Sequence, residues 1–348
     1  MDNVWKIKYF VILYIEMSGG VSKRVYSAKR NVDIGGGVDK AGLPGSIGIP
    51  TMLRRFVARR APDAGKSAVD EVDQVTEWIY LAIDDKLYKF DGSAWTLVNN
   101  NNTFIQCFSL VSDDQLYMFD NASAGNNKIK IYNGSETSTS ISIDNISNLN
   151  SFSCVLYNNN IYIIGGSGGS NVFKLEGNTA IAMTSMPEAK QYLSSAVYNG
   201  YIYAVGGAAG GSFANNRVFK YKDDAWTNAP SMVSARLAPG VVVYRGLLYA
   251  IGGLNAGGTM MDTVETLTDS GTSWLPAPPL NTARVFHSCV VYNDLIYVFG
   301  GFGADNNLIL TTEVFNGAKW ETINVAAPYD INTTEFMGYF NAAAVYNK

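Results

Sequence analysis

Three cations stand at one fixed place in a repeating pattern: Lys190, Arg236 and Arg284 each lie eight residues ahead of the tyrosine that ends an apolar segment (Tyr198, Tyr244 and Tyr292). Set side by side, three copies of one structural unit would bring these groups to one depth. A partial ring of ammonium and guanidinium groups is suited to holding a carboxylate or another anion through charge-assisted hydrogen bonds. Three further copies place Gly338, Phe104 and Leu149 there, so the ring is charged on one side only. The competing reading is that each cation ties one unit to its neighbour, and no well-placed partner carboxylate stands out. The long connections on the same side carry Phe213, Met260, Met261 and Phe302, apolar tips that suggest a recognition surface unless they fold back over neighbouring units.

Other chemistry is sparse. The chain has one histidine, His287, so a transition-metal site built from imidazoles is excluded, and the ring is read as a satisfied structural imidazole. Gly65-Lys66-Ser67 has the end of a phosphate-binding loop but lacks the glycine needed where Arg60 stands. Asp84-Asp85, Asp113-Asp114 and Asp223-Asp224 separate short apolar runs and read as solvated turns, without the spacing of a calcium loop. No local signature assembles a serine triad. The three cysteines, Cys107, Cys154 and Cys289, are odd in number and fall in different repeats, where small residues such as Ser195, Val241 and Ala343 otherwise sit. They read as buried free thiols filling a narrow inner layer. No catalytic residue, metal or cofactor is expected.

These groups are positioned by a repeat. Tyrosine-bearing strands begin at Ile79, Leu116, Ile161, Ile202, Leu248 and Ile296, and the last four end in glycine pairs: Gly165-Gly166, Gly206-Gly207, Gly252-Gly253 and Gly300-Gly301. Each of the last four is preceded by an apolar strand and followed by two more, the last often carrying tryptophan (Trp226, Trp274, Trp320). A unit of this size cannot bury both faces of its sheet alone, so the units must stack around an axis. The fold class is therefore all-β, a six-bladed propeller. The first blade lacks an inner strand, and the C-terminal Asn341–Lys348 matches Ser194–Asn199 almost position for position. The expected closure has this last strand completing blade one, which would remove two unpaired edges.

The glycine pairs, with tryptophans 19 to 21 residues after the second glycine, resemble the kelch repeat over about residues 77–348, most strongly in the last three blades. Kelch-like propellers serve as ubiquitin-ligase adaptors, actin binders, copper oxidases and sugar mutarotases, so the resemblance implies a scaffold and not one activity. The copper oxidases use two histidines where this chain has one. An Arg at the cation position commonly ties adjacent blades in that family. The mutarotase resemblance implies an acidic sugar held by Lys190, Arg236 and Arg284.

The net charge of −4 hides an asymmetry: residues 1–66 hold 12 Lys and Arg against 5 Asp and Glu, and the remainder holds 14 against 25. Charged residues make up only 16% of the chain and mean hydropathy is +0.01, the profile of a strand-and-turn protein. Residues 1–66 are read as a basic, glycine-rich, extended N-terminal arm, 67–76 as a linker and 77–348 as the propeller. Phe10–Ile15 is too short to span a bilayer and makes a poor signal peptide. Residues 18–50 read as coil, and a short helix near 51–60, capped by Thr51, would place Arg54, Arg55 and Arg59 on one face and Phe56 on the other, with Arg60 beside them. Such an arm is suited to anchoring in other protein subunits. The expected function is non-enzymatic, a propeller head displayed on a larger assembly such as a virus (phage) particle, with virion or extracellular location; a cytoplasmic or periplasmic sugar-binding protein or mutarotase is the alternative. Nucleic acid is a poor partner, because few aromatics lie between the arm's arginines.

Overall fold

The computed structural model describes residues 9–17, 20–28, 77–83, 86–99, 107–112, 115–120, 128–133, 141–146, 151–166, 169–209, 213–268, 270–304, 307–323, 325 and 343–347. The chain divides into two compact units, Met1–Glu71 and Val72–Lys348. In the first, Tyr9–Met17 pairs antiparallel with Gly20–Ala28 in a register running from Tyr9↔Ala28 to Met17↔Gly20. This corrects the coil reading of residues 18–50 for its first part. The β-formers Val21, Val25 and Tyr26 lie opposite an apolar run whose backbone groups need partners, and that outweighs the local glycine content. The helix near 51–60 and Arg54, Arg55, Phe56, Arg59 and Arg60 lie outside the described residues.

The second unit is six four-stranded antiparallel sheets. Blades three to six run through the chain in order, from Ser153–Tyr157 at the inner edge of blade three to Trp320–Ile323 at the outer edge of blade six. Blade two contains Cys107–Ser112 and Gln115–Asp120. In blade one, Ala343–Asn347 lies antiparallel to Glu77–Ile83, with Ala343 opposite Leu81 and Asn347 opposite Glu77.

Why these segments form hairpins is visible in their turns. The first two strands of blades three to six are joined by Asn158-Asn159, Asn199-Gly200, Arg245-Gly246 and Asn293-Asp294, with both residues of each pair at positive φ. That is the mirror-image turn whose twist matches paired strands, and it favours Asn, Asp and Gly. Asp223-Asp224 is a turn of the same kind between the third and fourth strands of blade four, as read from the sequence. Asp84-Asp85 and Asp113-Asp114 lie outside the described residues.

The second strands (Asn160–Ile164, Tyr201–Val205, Leu247–Ile251, Leu295–Phe299) are buried on both faces, because each sheet is sandwiched between two others. One such layer joins Tyr198, Val205 and Val218 of blade four to Leu248, Leu267 and Trp274 of blade five. Two kinds of polar clasp cross the layers. The phenols of Tyr157 and Tyr244 donate to Gly200 O and Asp294 O in the turn of the next blade, both at 3.0 Å. The indoles of Trp226, Trp274 and Trp320 donate back to Thr184 O, Pro230 O and Pro278 O at the exit of the preceding blade.

The glycine pairs are where consecutive blades meet backbone to backbone. Gly207 N donates to Arg236 O and Gly253 N to Arg284 O, each crossing to the segment leading into the next blade. A side chain on Gly206 (φ +67°) would put its Cβ 2.5 Å from Arg236 O.

Candidate functional site

Lys190, Arg236 and Arg284 do lie at equivalent places, but the fold turns them inward. All three are fully buried. Arg284 donates to Gly300 O (2.9 Å), Thr311 O (3.2 Å) and the carboxylate of Glu313 (2.6 Å). Arg236 repeats the arrangement with Gly252 O (2.7 Å), Thr263 O (2.8 Å) and Glu265 (3.0 Å). The partners stand 16, 27 and 29 residues beyond the arginine in both blades. Each cation therefore rivets the segment leading into a blade to the second and third strands of that same blade.

The carboxylates are equally engaged. Glu313 accepts from Asn281 N (2.6 Å) and Thr282 N (3.1 Å), and Glu265 from Val233 N (2.7 Å) and Ser234 N (2.9 Å). This corrects two sequence expectations. Well-placed carboxylates do exist, and they occupy two of the three cations that were candidates for an external anion. A ligand carboxylate would have to displace a fully buried, hydrogen-bonded one.

Blade four solves the same problem differently. Lys190 stands for arginine, and Phe219 takes the place of the glutamate, its ring centroid 5.1 Å from the ammonium. The three ammonium protons go to Gly206 O, Asn215 Oδ1 and Arg217 O, at 2.8, 2.8 and 3.0 Å. Pro187 occupies the position equivalent to Val233 and Asn281 and has no N–H to offer a carboxylate, so acceptor and donor are lost together. Burial without a bonded carboxylate pulls the Lys190 amine down to about 8.

His287 is fully buried, as expected of a structural imidazole, but it is not satisfied: neither ring nitrogen has a hydrogen-bond partner. It fills space that glycine leaves open. A Cβ on Gly240 would lie 2.6 Å from its Nε2, one on Gly252 3.0 Å from its Cε1, and one on Gly301 2.9 Å from its Cβ. Backbone groups of Ile251 and Arg284 near the ring favour its charged form, but by less than burial opposes it. Burial, reinforced by the Arg284 and Arg236 charges, holds the imidazole down to about 3.

The inner strands Ser153–Tyr157, Ser194–Tyr198, Gly240–Tyr244 and Ser288–Tyr292 carry no charged residue. Cys154 and Cys289 on them are free thiols, half-buried and not fully so as the sequence suggested, and burial pushes Cys289 up to about 12. The Cys107 side chain lies outside the described residues. Among the described residues no cluster of three or more His, Cys, Asp or Glu is placed to hold a metal ion, and no helix is long and apolar enough to cross a membrane.

Among the described residues the exposed large hydrophobics are Leu97, Ile181, Phe213, Val233 and Leu275. Of the four apolar tips, Met261 is buried, while Met260 and Phe302 pack partly buried against Leu237, Leu254 and Val285. Phe213 alone stands out, 53% exposed, and Val233 is 70% exposed. These two lie two and three residues from the backbone bridge that joins Asn215 to Arg236 across the seam of blades four and five.

Beside them runs a feature the sequence reading missed. Ser151, Tyr192, Ala238 and Phe286, each six residues ahead of the inner tyrosine, all adopt left-handed backbone, with φ of 56°, 56°, 46° and 56°. The conformation lets each lead-in segment bond the last: Tyr192 N donates to Ser151 O and Ala238 N to Tyr192 O, both at 2.8 Å. Tyr192 and Phe286, from blades four and six, meet edge to face 6.0 Å apart across the intervening blade. Aligning the repeats on the tyrosine and reading six back would have exposed this alternation of aromatic and small residues.

Comparison with known proteins agrees with this geometry. The Kelch motif is matched at residues 190–233 and 283–324, two stretches that each run from a cation through the glycine pair to just past the tryptophan. No curated protein matches the chain. Among solved structures, that of YjhT is similar with a TM-score of 0.61 over 72% of this chain and 95% of that one, at 12% identity, a likeness of fold alone. The chain is a six-bladed β-propeller that carries the Kelch motif in its fourth and sixth blades.

Proposed function

We propose that this protein is a non-enzymatic recognition and structural component, a propeller head held in a larger assembly by residues 1–66, of the kind displayed on a virus particle. The observation that carries the reading is the contrast between interior and surface. The cations that could have formed a ligand site are spent on internal ties, while Phe213 and Val233, each a few residues from the bridge between blades four and five, stand exposed. Exposed apolar anchors rimmed by polar loops are what a protein partner buries. The basic N-terminal 66 residues against an acidic remainder support a division between anchor and head.

Removing residues 1–60 is expected to leave a folded propeller that no longer incorporates into its native assembly; unchanged incorporation would end the anchoring reading. Phe213→Ser with Val233→Ser should leave the melting temperature within roughly 2 °C, as exposed sites do, yet weaken capture of the partner about tenfold or more. The alternative, an acidic-sugar binder or mutarotase, requires Arg236 and Arg284 to leave Glu265 and Glu313. Calorimetric titration of the propeller with sialic acid is expected to show no heat of binding. Binding that disappears in Arg284→Lys while the fold persists would favour the sugar.

A further inference from the structure

Among the described residues, one fully buried imidazole has no hydrogen-bond partner for either nitrogen. His287 is the chain's single histidine, sits at the boundary of blades five and six, and touches glycine positions of both: Gly240 and Gly252 on one side, Gly301 on the other. Every charged group around it is already committed. Arg284 and Arg236 are bonded to Glu313 and Glu265, which also accept from the N–H groups of Asn281 and Thr282 and of Val233 and Ser234. Cys289, a half-buried residue whose thiol points at Gly240 as the ring does, is held neutral, burial of its sulfur pushing it up to about 12. A proton on the imidazole would therefore add a third cation to a buried site whose nearby carboxylates are already bonded to the other two.

The backbone around the ring explains how that stress would be relieved. The carbonyl of Arg284 accepts the N–H of Gly253, and Val285 pairs with Phe302, so the segment bearing His287 is the strip that links the two blades at this end. It is not regular strand until Ser288. Moving the strip outward hydrates the imidazole while both sheets keep their ladders, a local opening and not a global one.

We infer that the seam between blades five and six is an acid-triggered latch, in which protonation of His287 releases the segment from Asn281 to His287 and uncovers the layer beneath the glycine pair of blade five. The sign follows from linkage. An imidazole that titrates near 6.5 when hydrated and only near 3 when enclosed takes up its proton in the open form first. The opening constant is thus at its pH-independent minimum above about pH 6.5 and rises about tenfold for each pH unit well below that, until the enclosed ring itself titrates.

Hydrogen exchange read by mass spectrometry on the full chain at pH 7.0 and 4.5, corrected for intrinsic exchange chemistry, tests this. Peptides spanning 236–262 and 281–303 are expected to lose protection about 100-fold, against little change in peptides spanning 153–176. His287→Asn should abolish the pH-dependent part of that loss. Equal loss in the variant, or uniform loss around the ring, would overturn the latch. Should His287→Asn fold poorly, NMR titration of the single imidazole in the unaltered protein decides instead. A ring titrating near 6.5 in the closed form overturns the inference, and one silent down to pH 4.5 until the seam peptides open supports it.

Discussion

Replacing Arg284 by methionine is expected to lower stability by about 3–5 kcal/mol, because it leaves Glu313 charged, fully buried and deprived of its counter-ion. The same replacement at Lys190 is expected to cost only about 1–3 kcal/mol, since it strands two backbone carbonyls and an amide oxygen but no carboxylate. Urea unfolding of both variants beside the parent protein measures the difference. The ratio is decisive: equal losses at the two sites would mean that the three cations are not rivets of unequal chemistry, and a negligible loss for Arg284→Met would restore the idea that its guanidinium is free for a ligand. Blade four shows how the fold does without the carboxylate, through phenylalanine at 219, proline at 187 and the amide oxygen of Asn215, and substituting Glu313→Phe together with Asn281→Pro, Ile309→Asn and Arg284→Lys copies that solution.

Gly301→Ala is expected to be comparably severe, roughly 3–5 kcal/mol, for a reason that has nothing to do with charge. Its φ of +86° already strains an L residue, and the added methyl would fall 2.6 Å from Val285 O and 2.9 Å from the Cβ of His287. Gly200→Ala separates the two contributions. That glycine has φ +75° and nothing within 4 Å of the place an added methyl group would take, so only the conformational cost of about 1–2 kcal/mol applies. Thermal unfolding should place Gly200→Ala a few degrees below the parent and Gly301→Ala far below it, and similar shifts for both would show that close approach does not explain the second glycine of the pair.

The architecture was legible because a propeller repeats its physics. Two-residue turns, tyrosine strands buried on both faces and glycine pairs recur at steps of 37 to 48 residues, and each recurrence adds weight to the last. The site was half legible. Alignment brought Lys190, Arg236 and Arg284 to one place, which is where the fold puts them, but a one-dimensional register says nothing of whether a side chain points out or in. The missing clue lies 29 residues further on, where glutamate follows both arginines and phenylalanine follows the lysine. Covariation of that kind marks an internal pair, whereas cations aimed at a ligand would not track a distant carboxylate. His287 shows the limit from the other side: its burial was foreseeable from its place beside the inner strand, but its two idle nitrogens depend on which neighbours are glycine. Gly20–Ala28 was misread because glycine content was averaged over a window in which β-branched residues were confined to the beginning.

The left-handed residues around the mouth, Ser151, Tyr192, Ala238 and Phe286, share one backbone conformation although their side chains run from a methyl group to two aromatic rings. Shape of the main chain and identity of the side chain are decoupled at these four addresses. Ser151 and Ala238 are buried while Tyr192 and Phe286 are half-buried, so exchange at 192 and 286 can vary what solvent meets there, whereas enlargement at 151 or 238 has to find room inside.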